Sequence, residues 1–81
     1  PQDATALNEL TEGSRFVVRR IPEELEFRDG ILEFLESSAI LPGNRGTITA
    51  ISPDGTITVE IEGAHVGVGS FASERILVST G

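Results

Sequence analysis

The sequence predicts a mainly β domain: a small five-stranded antiparallel barrel with one short helix between its first and second strands. Three observations predict it. β-Branched residues alternate with polar ones in short runs, most cleanly over residues 56–61, where Ile57, Val59 and Ile61 face one way and Thr56, Thr58 and Glu60 the other. Pro and Gly punctuate these runs at Pro42-Gly43, Pro53-Asp54-Gly55 and Glu62-Gly63. A single stretch, RDGILEFLESSAILPGNRG over residues 28–46, replaces the two-residue period with helical spacing.

Residues 1–6 (PQDATA) have no apolar period and open on proline, as linkers do, so the folded domain is expected over residues 7–81. Methionine is absent, and a fragment of a longer chain is expected. Leu7 and Leu10 suit one helical or 3₁₀ turn that ends at Gly13. Residues 15–21 form the first strand, with Phe16 and Val18 on one face and Val17, Arg19 and Ile21 on the other. Pro22 ends it because proline has no N–H to give the ladder.

An acidic loop with Glu23, Glu24, Glu26 and Asp29 leads into the helix. Asp29 is placed to cap it, and Ile31, Phe34 and Leu35 share one face at i, i+3 and i+4. Leu32 widens that stripe, while Glu33 and Glu36 face water. Pro42-Gly43 then turns the chain, since Pro fixes φ at the first central position and Gly supplies a positive φ at the second. Strands are expected over 45–51, 56–61 and 65–70, and a last one over 75–79 places Ile76 and Val78 inward. Gly67 and Gly69, inside a strand, signal a bend or a close approach of another backbone. Two barrel types compete, and the OB type has its helix between the third and fourth strands. A helix between the first and second selects the SH3-like barrel.

Composition narrows the function. A chain of 81 residues makes one domain, and 38% apolar with 23% charged residues makes it globular. No apolar run approaches the roughly 20 residues needed to cross a bilayer, no signal-peptide pattern is present, and there is no cysteine; the expected location is the cytoplasm. Thirteen carboxylates face six arginines and no lysine, for a net charge of −7, so the isolated domain is expected to bind no nucleic acid. Arg15, Arg19, Arg20 and Arg45 could form a local basic patch; the alternative is solvated strand faces.

Catalysis has little to work with: no Cys, one His and no strained nucleophile turn, so no enzyme is expected. His65 alone cannot make a structural zinc site and reads as an ordinary edge residue. Four Phe with no Tyr or Trp do not make a conventional polyproline groove, although a weaker contact with a tethered Pro-containing linker would need less affinity. Carboxylates are the hard ligands that suit Mn²⁺, Fe²⁺ or Ca²⁺, and Glu26 and Asp29, three apart, could turn toward one cation. The alternative is a solvated loop plus a capping aspartate. Either way the loop holds too few ligands to bind a metal tightly by itself.

The run LNELTEGSRFVVRRI, then DGILEFLESSAILPGNRGTITA, and finally SFASERILVS resembles the C-terminal SH3-like domain of iron- and manganese-dependent transcription repressors of the diphtheria-toxin-repressor family. The same domain type occurs alone as the ferrous-iron transport protein A family. The resemblance covers nearly the whole chain, and Leu-Pro-Gly after an amphipathic helix is its most specific part. The opening PQDATALNEL is similar to the proline-containing linker of the repressors, which favours that branch. The resemblance implies a regulatory domain that modulates metal occupancy and dimer or DNA affinity through contacts with the other domains and linker of its own chain. It also implies a parent that is a cytoplasmic homodimer on DNA using Fe²⁺ or Mn²⁺, with Glu26 and Asp29 at the positions of ancillary ligands. The alternative is a free-standing module that regulates a ferrous-iron permease. The sequence departs from the family where a glycine usually ends the helix: Ala39 stands there, and Ser38 replaces a usual leucine.

Overall fold

The computed structural model describes residues 4–80, and the core of the fold is set by which strand faces are apolar. Its elements are β1 (Thr5–Ala6), β2 (Arg15–Arg20), α1 (Ile31–Ser37), β3 (Arg45–Ile51), β4 (Ile57–Ile61), β5 (Ala64–Val68), α2 (Ser70–Ser73) and β6 (Leu77–Thr80). Single 3₁₀ turns at Leu7–Glu9 and Glu23–Leu25 follow β1 and β2. All six strands are antiparallel neighbours in one open sheet of order β1-β6-β2-β3-β4-β5. Phe16, Val18, Ile48, Ile57, Val59, Ile61, Val68 and Val78 make one buried face, closed by Leu7, Leu25, Leu35 and Ile40 from outside the sheet. Register shifts between Val18 and Arg20 and between Ile48 and Ala50 bend β2 and β3 over that core. No helix among the described residues is long and apolar enough to cross a membrane.

The strand count is six rather than the expected five. The extra strand is Thr5–Ala6, which pairs with Val78 and Leu77 inside the stretch expected as linker. Two residues are too few to show a period, so pairing alone reveals it. Residues 1–3 of that stretch and Gly81 lie outside the described residues. The chain around 71–74, expected as a turn, is the short helix α2.

Turn chemistry is close to expectation. Pro42 and Gly43 are the central residues of a turn closed by Asn44 N–H donating to the Leu41 carbonyl at 3.0 Å, and Gly43 has φ 96°. In the β3–β4 connection Gly55 N–H donates to the Ser52 carbonyl, and Asp54 Oδ1 accepts from Thr56 N–H at 3.0 Å, which holds the Asp54 carboxyl below its usual pKa. Glu62 (φ 51°) and Gly63 (φ 84°) join β4 to β5 in the two-residue, doubly positive-φ turn that matches strand twist.

Both ends of α1 differ from the sequence expectation. Asp29 does not cap it: Gly30, left-handed at φ 82°, holds the N-cap position, and no side chain caps the first turn. The chain must reverse sharply from the 3₁₀ turn that buries Leu25, and glycine alone takes that φ without strain. At the other end Ala39 is left-handed, φ 62°. Its N–H donates to Glu36 O at 3.2 Å, and Ile40 N–H donates to Leu35 O at 2.9 Å, the paired bonds of a Schellman ending. Leu35 and Ile40, both buried, supply the apolar contact that accompanies it, and Asn44 Nδ2 donates to the Ala39 carbonyl at 2.7 Å. The cap is kept although its residue is strained. Ala39→Gly is therefore expected to raise stability by about 1 kcal/mol, read as a rise in thermal midpoint of about 4–8 °C.

Candidate functional site

The acidic loop between β2 and α1 is positioned by one buried residue and one cross-link. Leu25 is fully buried within the core cluster, which fixes the 3₁₀ turn Glu23–Leu25 on the domain. Glu24 Oε2 accepts from Arg75 Nε at 3.1 Å, so the loop is tied to the chain just after α2. Arg75 Nη1 also donates to the Phe71 carbonyl at 3.0 Å and to Glu74 Oε1 at 3.2 Å. The guanidinium carbons of Arg28 and Arg75 each lie 4.0 Å from the centroid of the Phe71 ring. Both guanidinium groups thus pack on the Phe71 ring. Each contact is worth about 0.5–1 kcal/mol at a partly exposed site. Together they clip the acidic loop to α2.

Within this clip, Glu26 and Asp29 are both exposed, and they flank Phe27 and Arg28 in sequence. Glu26 closes the 3₁₀ turn through its own N–H on the Glu23 carbonyl at 2.8 Å. Phe27 is 79% exposed, the most exposed large apolar side chain among the described residues. A cation such as Mn²⁺ prefers about six oxygen or nitrogen ligands. The described residues contain no group of three or more His, Asp or Glu side chains arranged to hold one. Glu26 and Asp29 are thus two exposed carboxylates on one loop, with no third such side chain grouped with them among the described residues.

Of the four arginines that could have formed a local basic patch, Arg45 lies directly across from Val17, between Arg15 and Arg19 on the neighbouring strand. Arg15 and Arg45 line a groove of about 500 Å³ on the sheet, but Glu60 and Glu62 line the same groove, so its charge is mixed. Arg19 donates to Ser79 Oγ at 2.7 Å and is used in tying β2 to β6. Gly46 lies beneath the groove: a Cβ there would stand 2.7 Å from Phe16 Cζ and 2.9 Å from the Glu60 carbonyl oxygen. The close approach expected at Gly67 and Gly69 is thus at Gly46. A Cβ on Gly67 would meet Thr56 Cγ2 at an ordinary 3.6 Å, and one on Gly69 would meet nothing.

The FeoA domain model matches residues 5–80 of the sequence. The chain belongs to the FeoA domain family. No curated protein matches its sequence. Among solved structures this FeoA domain is similar to an iron uptake regulatory protein (FeoA), at TM-score 0.81 and 22% identity over 98% of this chain and 99% of that one. It is similar also to a manganese-dependent transcriptional repressor in complex with manganese, at TM-score 0.85 and 27% identity over 99% of this chain but 38% of the repressor. Against T. acidophilum IdeR the TM-score is 0.81 at 20% identity, with 36% of that chain covered. The FeoA domain therefore spans a little over a third of each of those two longer chains.

The sequence reading of this FeoA domain found the acidic loop but missed the Arg28–Phe71–Arg75 stack. Arg28 is more than forty positions from Phe71 and Arg75, and no local spacing links it to that pair. Phe27 did have a signal: it is apolar yet falls on neither the β2 alternation nor the α1 stripe. His65 lies exposed on the edge strand β5, across from Glu60.

Proposed function

We propose that this FeoA domain is the regulatory module of an iron- or manganese-dependent transcription repressor, a cytoplasmic dimer on DNA in which the module makes contacts but no bonds of its own chemistry. The observation that supports it most is the match to the manganese-dependent repressor across 99% of this chain, at 27% identity. The exposed Glu26 and Asp29, on a loop clipped to α2, add the feature such a module needs: two carboxylates held where another domain can reach them. Metal then biases an equilibrium between a state in which the loop contributes ligands and one in which the module contacts the linker or dimer region. A non-enzymatic role is part of the proposal, in keeping with a sequence of one histidine and no cysteine.

A second reading has its own support, the coverage of 98% of this chain and 99% of the FeoA protein in the other direction. In that reading the domain acts alone as a regulator of a ferrous-iron permease. The coding sequence upstream of Pro1 separates the two: a winged helix selects the repressor, a start codon selects the transport partner. In the full repressor, replacing Glu26→Gln together with Asp29→Asn is expected to raise the Mn²⁺ concentration for half-maximal DNA binding on the order of tenfold. An unchanged midpoint removes these residues from the metal account.

A further inference from the structure

The two edges of the sheet are built differently. β1 is two residues long and runs straight into the Leu7–Glu9 turn, so that edge offers little backbone. β5 is five residues long, pairs with β4 without a register shift, and pairs with no other strand among the described residues. Hydrogen-bonded and non-bonded pairs alternate along an antiparallel ladder. The tight Glu62-Gly63 turn makes Ile61 and Ala64 the closing bonded pair, so Ala64, Val66 and Val68 direct their N–H and C=O groups to β4. His65 and Gly67 direct theirs outward, and both residues are exposed. No turn or loop of the described chain bonds to either one's backbone.

Open edges template further strands, and proteins guard them with Lys, Pro, bulges or covering loops. β5 has none of these, and Gly67 puts no side chain over its outer rim. Charge sets the class of occupant. Between Arg45 and Arg75 the chain has Asp54, Glu60, Glu62 and Glu74 and no lysine or arginine. Glu60 stands directly across from His65, and Glu62 lies in the adjoining turn. A second copy would bring another net charge of −7 against this one. We infer that the outer edge of β5 docks an extended, basic segment of a partner protein, which joins the sheet as a seventh strand. Its backbone pairs with His65 and Gly67, and its long basic side chains reach past His65 toward Glu60 on β4 and toward Glu62 in the adjoining turn.

The test uses the isotope-labelled chain and three synthetic peptides: KVKVKVK, its proline-broken counterpart KVKPKVK, and the acidic EVEVEVE. With KVKVKVK, the amides of His65 and Gly67 are expected to shift and become protected from hydrogen exchange. KVKPKVK is expected to bind about tenfold more weakly, since it cannot complete the ladder. His65→Pro removes an outward N–H and leaves the three bonded residues facing β4 untouched, so it is expected to keep the fold and lose the peptide. Gly67→Lys, at a site with room for a side chain, is expected to repel KVKVKVK and serves if the proline variant does not fold. Equal binding of both basic peptides, preference for EVEVEVE, or unchanged affinity in a folded variant overturns the inference. So does protection of His65 and Gly67 that grows with protein concentration alone, which would assign the edge to a second copy.

Discussion

Gly46→Val is expected to destabilise the domain by about 3 kcal/mol, against a total of about 4–12 kcal/mol for a domain of 81 residues. Gly46 sits in β3 with Phe16 across from it on β2 and Ile61 on β4. A Cβ there meets the Phe16 ring at 2.7 Å and the Glu60 carbonyl oxygen at 2.9 Å. The ring can turn at a cost; the carbonyl belongs to the ladder and cannot. Chemical denaturation of Gly46→Ala with and without Phe16→Leu separates the two contacts. The smaller side chain is expected to recover only part of the loss. Full recovery would mean that the ring alone sets the need for glycine, and a loss under about 1 kcal/mol for Gly46→Val would remove the close approach from the account.

Leu25→Ala is expected to cost about 3 kcal/mol and to act locally as well as globally. Leu25 is the one core side chain supplied by the acidic loop, and it is fully buried. The Glu24–Arg75 pair and the Phe71 stack are partly exposed and hold the loop only weakly by comparison. Removing the anchor should therefore free residues 23–29 before the sheet opens. Native-state hydrogen exchange is expected to show faster exchange at Glu26, whose N–H bonds the Glu23 carbonyl, than in β2 or β4. Uniform acceleration across the domain would show that the loop has no separate anchorage.

The legible parts of this fold are those governed by short-range rules. Alternation marked β2 to β6, and Pro-Gly and Asp-Gly marked their turns, because each depends on neighbours in sequence. β1 was hidden since pairing with Leu77 and Val78 is a long-range fact. Asp29 had the right side chain for a cap, but the path forced by burying Leu25 left the N-cap to Gly30. Ala39 shows the converse: the Schellman bonds and the Leu35–Ile40 contact together impose a left-handed φ on a residue that resists it. Gly46 could not be told from Gly67 until strand register placed Phe16 beside it. Of the candidate site, Glu26 and Asp29 were readable as an acidic pair. The stack that clips their loop to α2 was not, because it joins Arg28 to residues brought near only by the completed sheet.

The proposed role of this domain is to tune how a metal-dependent repressor responds to its metal. The direct measurement is DNA binding by the full repressor titrated with Mn²⁺, with residues 5–80 present and deleted. The expected result is that DNA binding persists after deletion while the midpoint and steepness of the metal titration change. Superimposable titrations with and without the domain would contradict the account.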